Sequence, residues 1–367
     1  MSKNRIPDLM TMDPIAVEEQ HSRKLRKWSL TLIILIFALL VVAVVAISIG
    51  PTQISAERII EAIFSGDLIK VVTGGHASNS INAVVLEIRL PRILIAGLVG
   101  ASLAIAGTAM QGIFRNPMAS PYILGLSSGA AFGASLAIVL GYSFISGEFA
   151  VPAMAFLFCF ITLFIVYGIS RTKMGVPVTT LLLAGIAVGS LFNALVSLMM
   201  YFNGESLSSI VYWMMGGLWT SNWNQVWVTL PLIGIGSVAL LFYSSELNLM
   251  MVGEEHATNL GVNVKRSRLV ILLLSSLVTA AAVSVSGVIG FVGLIVPHTL
   301  RLILGPDNRI LMPSSLLCGA IFMISMDTIA RTILSPAELP VGIITALLGA
   351  PFFLYLLRSR KRDIWGW

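Results

Sequence analysis

Residues Arg89 to Gly129 read RLPRILIAGLVGASLAIAGTAMQGIFRNPMASPYILGLSSG, and this stretch decides the kind of fold the chain adopts. Two arginines flank Leu-Pro, and the chain then runs without charge from Ile93 to Phe114. A run of that length crosses a bilayer as a helix. It is filled with small residues: Ala96, Gly97, Gly100, Ala101, Ala104, Gly107 and Ala109. Gln111, an Arg-Asn-Pro turn and the series Gly125, Gly129, Gly133 follow. A helix that merely anchors a protein has no use for so many glycines, whereas a helix packed closely on others, or lining a path, does. The stretch predicts a polytopic membrane protein with a tight helical core, and transport is the first function it suggests.

Composition points the same way. The 367 residues are 57% hydrophobic and only 11% charged, and the mean hydropathy is +0.93. A soluble domain of this size does not have that make-up. Cys159 and Cys318 both lie in apolar runs and read as small buried hydrophobes rather than a disulfide. The net charge of +6 would suggest nucleic acid in a soluble protein; here it fits the basic bias of cytoplasmic membrane loops.

Residues 1–27 read as a cytoplasmic tail that ends in a basic cluster, Arg23, Lys24, Arg26 and Lys27. The apolar run Trp28–Gly50 is too long for a signal-peptide core, so it reads as a first span. Further spans are predicted at Arg92–Phe114, Tyr122–Tyr142, Phe149–Ser170, Val178–Tyr201, Trp223–Tyr243, Leu269–Ser286, Val288–Leu304, Ile310–Thr332 and Val341–Leu357. The expected fold is therefore all-α, a single transmembrane domain over 28–358 with about ten transmembrane helices and a cytoplasmic tail at 359–367. Around Gly287–Gly293 the sequence allows either a tight hairpin or a broken helix. With the N-terminus inside, eighteen of the 23 lysines and arginines fall on the cytoplasmic side, which fixes the orientation and favours an even number of spans.

Three other segments stand out. Pro51–Leu90 is a long outer loop with an amphipathic piece near Ile54–Ile63. Asn203–Asn222 is a second outer loop carrying Tyr212, Trp213 and Trp219, which suit the membrane interface. Ser244–Arg268 is cytoplasmic and punctuated by Gly253 and Gly261, with Glu254 and Glu255 where a helix N-terminus favours negative charge. It reads as a short helical hairpin built for docking.

Catalytic and cofactor motifs are absent or misplaced. There is no GxxxxGK[ST], so no ATP hydrolysis by this chain is expected. Gly125-Leu-Ser127-Ser-Gly129 imitates a nucleophile elbow but opens a membrane helix. Gly234-Ile-Gly236 imitates a dinucleotide fingerprint but lies inside a span. No HxxxH or CxxC spacing occurs, so no metal site is expected, and His298 reads as a hydrogen-bonding residue near a helix end. Asp327 and Arg331, four apart, share a helical face; they are either a local ion pair or a functional pair in the membrane. Arg89 and Arg92 either anchor at headgroups or receive carboxylates of a soluble partner.

The blocks RLPR with GASLAIAGTAMQ, RNPMASPYILGLSSGA, LLLAGIAVG, GEEHATNLGV, GFVGLIVPHTLRLILGPDNR, MDTIAR and LPVGIITALLGAPFF, in this order, resemble the FecCD-type permease family. Members are membrane subunits of type II ABC importers for iron-siderophore complexes, haem, cobalamin and related chelates. The resemblance covers nearly everything after the first span; Met118, where leucine is usual, is a small departure. It implies that Arg89, Arg92 and Arg331 receive acidic residues of a substrate-binding protein. It implies that Leu247–Gly261, including Gly253, Glu254, Glu255, Ala257 and Leu260, is the coupling element for the ATPase subunits. It places Asn116, Pro117, Met118, Val178 and Thr179 at the cytoplasmic gate. The assembly it implies has two permeases, here expected to be two copies of this chain, two ATPases that bind the ATP and Mg, and one extracytoplasmic binding protein, all at the cell (plasma or inner) membrane. No cofactor is expected in this chain. Ferric siderophore is the leading cargo, with cobalamin, haem and molybdate behind it. An ion-gradient-driven secondary transporter would want intramembrane carboxylates, and a membrane enzyme would want a convergent catalytic cluster; apart from Asp327 the sequence offers neither.

Overall fold

A computed structural model describes residues 14–50, 54–141, 147–172 and 176–359. The expected tails beyond these, 1–13 and 360–367, lie outside the described residues. In chain order the helices are α1 (Pro14–Ser48), α2 (Ala56–Phe64), α3 (Asp67–Val72), α4 (Ser80–Ala83), α5 (Leu90–Phe114), α6 (Leu126–Val139), α7 (Ala150–Ser170) and α8 (Val178–Phe202). There follow α9 (Leu207–Met215), α10 (Trp223–Phe242), α11 (Ser244–Val252), α12 (Glu254–Asn259), α13 (Val264–Ser286), α14 (Val292–Leu304), α15 (Asn308–Ala330) and α16 (Val341–Ser359). Among the described residues seven helical stretches are long and apolar enough to cross a membrane, and three shorter apolar ones, in α6, α14 and α16, complete the set of ten predicted from sequence.

The small residues of α5 explain its position. Its apolar character runs round the whole helix, which is the pattern of a helix enclosed by others. Of its most apolar window 83% is buried, against 11% for α1, which lies at the periphery of the bundle. Contact with α15 is made backbone to backbone: a Cβ on Gly100 would lie 2.1 Å from the carbonyl oxygen of Gly319, and one on Gly319 would lie 2.3 Å from that of Gly100. Gly107 meets Gly293 of α14 in the same way, at 2.0 Å. Without a hydrophobic driving force between helices in lipid, such close packing is a main source of association.

The ambiguous region after α13 is a broken helix. Gly287 and Phe291 both have positive φ, 67° and 69°, so the chain between them leaves the helix before α14 begins. The thirteen residues of α14 span only about 20 Å, less than the ~30 Å hydrocarbon layer, so the break sits at membrane depth. Irregular backbone is tolerated there only when protein or a watery cavity covers it. Here Gly217 N donates to Ser286 O at 2.8 Å, and the Tyr122 hydroxyl donates to Ile289 O at 2.9 Å. Tyr122 lies in a short 3-10 turn, Pro121–Leu124, ahead of α6, so this turn helps to satisfy the broken segment inside the bundle.

Two predicted loops carry more structure than a loop. Within Asn203–Asn222 lies α9, a nine-residue apolar helix. The 54–83 segment folds on Asp67, whose carboxylate accepts from the Ser78 hydroxyl, from Asn82 Nδ2 at 2.7 Å and from Ser78 N at 3.0 Å. These bonds, the Ser78 hydroxyl foremost, bring the Asp67 carboxyl down to about 2.

Candidate functional site

At the end of the bundle where α1 finishes, three arginines converge. Arg89, at the end of a π-helical turn, is 4% exposed and donates from Nη1 to Ile47 O at 2.5 Å. Arg331, at the C-cap of α15, is 5% exposed and donates to Ala46 O. Both satisfy carbonyls left open at the C-terminus of α1, where positive charge also favours the helix dipole. Arg92 grips Asp327 with two nitrogens, Nη2 to Oδ1 at 2.9 Å and Nε to Oδ2 at 3.0 Å, and reaches Glu338 at 2.9 Å. A bidentate pair of this kind is strong and directional.

Asp327 was paired with Arg331 by sequence spacing. The structure gives it a different main partner: Arg331 Nε is 4.0 Å away, whereas Arg92, 235 positions earlier, holds both carboxylate oxygens. Arg331 lies beyond the last turn of α15 and turns toward α1 instead. In this chain by itself none of the three guanidinium groups points freely outward. Glu338 is the most exposed group of the network.

At the opposite end, α11 and α12 form the predicted hairpin. Leu247 is fully buried and packs under Gly112 of α5; Ala257 is fully buried too. Gly253 joins the helices with extended backbone, and Gly261 turns the chain out at φ 88°. Glu254 and Glu255 open α12 as expected; Glu254 pairs with Arg268 of α13, and Glu255 and Leu260 face outward. Arg268 also donates to Val176 O at 3.3 Å, tying the hairpin to the start of α8.

Asn116, Pro117 and Met118 form the turn after α5 and are half-buried. Asn116 Oδ1 accepts from Met118 N at 2.9 Å, which fixes the turn. Neighbouring Arg115, in the left-handed conformation at φ 45°, donates to Met250 O of α11. Val178, at the first turn of α8, packs on the same apolar cluster as Ala119, and Thr179 is exposed. The structure thus brings the 116–118 turn, the start of α8 and the hairpin together at one end.

Sequence reading overlooked two features. One is a polar knot around Asp307, which accepts from Lys24 at 3.1 Å, Asn248 at 2.8 Å and Arg309 at 2.9 Å. Burial opposes its ionisation, yet the hydrogen bonds from Arg309, Asn248 and Lys24 hold the carboxyl well below the usual range. The knot fastens α1 and α15 to the hairpin. The other is a stripe along α8: Ser190, Asn193 and Ser197 are exposed in mid-span, between exposed Leu183, Ile186, Leu191 and Leu198. Their spacing puts them on one face, and spacing alone could have shown it.

His298 is half-buried in the middle of α14, not at its end. The two imitation motifs are packing elements: Gly125–Gly129 opens α6, and a Cβ on Gly236 would press on Val278 at 2.5 Å. Among the described residues no three His, Cys, Asp or Glu side chains come together.

Residues 35–359 match the model of the FecCD transport family. The cobalamin import system permease protein BtuC of Halobacterium salinarum is 50% identical over 278 residues, 76% of this chain and 74% of that protein. The hemin transport system permease protein HmuU of Yersinia pestis is 44% identical over 281 residues, 76% of this chain and 84% of that one. A solved structure of a metal-chelate type ABC transporter in an inward-facing conformation matches with a TM-score of 0.77 and 38% identity, covering 89% of this chain and 98% of that one. Fold, buried small-residue core and sequence agree: this chain belongs to the FecCD transport family.

Proposed function

We propose that this chain is the permease subunit of an ATP-driven importer for a metal chelate, working as two copies that face each other across α8. The observation that carries this is the α8 stripe. Asn193 and two serines on an exposed mid-span face are poorly matched to lipid but well matched to a second protein surface or a watery path. Their mixture with leucine and isoleucine gives a lining that wets the cargo without holding it. The names of the relatives support a chelate, and a ferric siderophore is the cargo we put first. The basic bias of the hairpin end supports a cytoplasmic location for it and for the N-terminus.

In this reading the loop-end rim of Arg89, Arg92 and Arg331 receives carboxylates of an extracytoplasmic binding protein, with Glu338 the group a partner carboxylate displaces from Arg92. The hairpin from Leu247 to Gly261 meets the ATPase, which supplies ATP and Mg binding; exposed Val252, Glu255 and Leu260 are its available surface. A cavity of about 1460 Å³ beside it, lined by Arg171, Glu254, Lys265 and Arg268, adds charge for docking. Asn116, Pro117, Met118, Val178 and Thr179 form the gate at this end, linked to the hairpin through Arg115. A gradient-driven transporter is disfavoured because Asp327, the carboxylate sequence reading found in a span, is already held by Arg92.

Cross-linking tests the pairing. With Cys159 and Cys318 replaced by alanine, Ser190→Cys is expected to form a disulfide-linked dimer of this chain in oxidised membranes. Monomer alone from Ser190→Cys, Asn193→Cys and Ser197→Cys would contradict the pairing. Coupling has its own test. Gly261→Pro removes the N–H that donates to Thr258 O at 3.0 Å and forbids φ 88°. ATP hydrolysis by the assembled complex should persist while uptake falls at least tenfold; normal uptake would remove the hairpin from coupling.

A further inference from the structure

We infer that a cavity at the loop end, between α7, α9, the 216–222 turn and the end of α13, is the first station of the cargo and selects neutral or cationic chelates over oxyanions; this deepens the importer reading and rests on it. The cavity measures about 1080 Å³, the upper end of the size range of small-molecule sites. Among the described residues two carboxylates, Glu148 and Glu205, line it, and no lysine, arginine or histidine does. The rim arginines are not among its walls. Glu148 is built in: Asn222, the N-cap of α10, donates to it at 2.8 Å, and Asn224 donates at 2.6 Å.

A second observation is independent of the acids. Gln225 lines the cavity, is 4% exposed, and its Oε1 has no hydrogen-bond partner. A buried acceptor left open is costly and calls for a donor from whatever enters. The walls also carry Tyr212 and Trp219, set edge to face at 6.2 Å, whose ring faces favour cations and flat organic groups. Acceptors, carboxylates and aromatic faces together suit a ligand bearing N–H, O–H or positive charge, and they repel molybdate or an anionic citrate chelate. Glu205 and the serines after it follow α8 in the chain, so this wall of the cavity is joined directly to the helix that carries the polar stripe.

The test is a tryptophan-fluorescence titration of the full chain in detergent, which needs neither ATP nor partners. The probes are ferrioxamine B (a cationic ferric trihydroxamate), ferric citrate and molybdate. Ferrioxamine B is expected to quench saturably, with a half-saturation at least tenfold below that of ferric citrate, and molybdate to leave the signal unchanged. Trp219→Phe should remove most of the quench, and the exposed-site variant Glu205→Gln, which leaves the packing alone, should raise half-saturation several-fold. Glu148→Gln with Glu205→Gln should raise it about tenfold. Equal or tighter response to an anionic probe, or an unchanged titration in the double variant, overturns the selectivity. ATP-driven uptake by the reconstituted complex is measured beside it. If uptake is present and the titration fails, the cavity assignment falls and the importer stands; if uptake is absent, the importer reading itself falls.

Discussion

Gly107→Leu is expected to leave almost no folded chain in the membrane. A Cβ at this position would sit 2.0 Å from Gly293 O, 2.6 Å from its carbonyl carbon and 2.7 Å from its Cα. These are backbone atoms of a neighbouring helix, so no rotamer change can make room. Overpacking a core ordinarily costs about 1–3 kcal/mol, and here α5 must also part from α14 next to the helix break. The measurement is the yield of the monodisperse peak in size-exclusion chromatography of a fluorescent fusion. Gly168→Leu is the matched control: nothing lies within 4 Å of its Cβ position, and its yield should equal that of the unaltered protein. Equal yields for both variants would mean that the α5 contact does not hold the bundle.

Asp327→Ala is the second large effect. Asp327 is 1% exposed and is the shared counter-charge of Arg92 and Arg331. Removing it leaves Arg92 with the partly exposed Glu338 and leaves buried Arg331 with the neutral Ala46 carbonyl, and breaking a buried pair from one side costs about 3–5 kcal/mol. Glu338→Gln touches the same Arg92 but removes a partly exposed partner, for which about 0–1 kcal/mol is expected. Thermal unfolding in detergent should separate them: a clear drop in Tm for Asp327→Ala and little change for Glu338→Gln. Equal small shifts would show that Arg92 finds water or lipid phosphate as readily as Asp327.

Local pattern and long-range pairing were not equally legible in the sequence. Uncharged runs and small-residue spacing were enough to locate the ten apolar helices, because burial in lipid writes itself into every residue of a span. Glycines at 253 and 261 marked the hairpin, since each ends a short helix. The start of α14 was set too early, at Val288, because Val288, Ile289 and Phe291 are as apolar as any span while Gly287 and Phe291 take positive φ. The sequence suggests a loop where α9 forms, because a nine-residue stretch carrying Tyr212 and Trp213 looks interfacial. Contacts that join distant positions left no trace. Nothing local ties Lys24 to Asp307, and the i to i+4 rule points Asp327 at Arg331, which is within 4.0 Å, but not at Arg92, its closer partner. The rim arginines were legible as a group, but not their turn inward toward the α1 carbonyls.

The most direct measurement is to purify the tagged chain from native membranes, reconstitute it with whatever copurifies, and follow ATP-dependent accumulation of a chelate. The importer account predicts a copurifying ATPase, a second copy of this chain, and uptake that stops without ATP and persists when ion gradients are collapsed. A chain that purifies without an ATPase and drives uptake only while an ion gradient stands would contradict it.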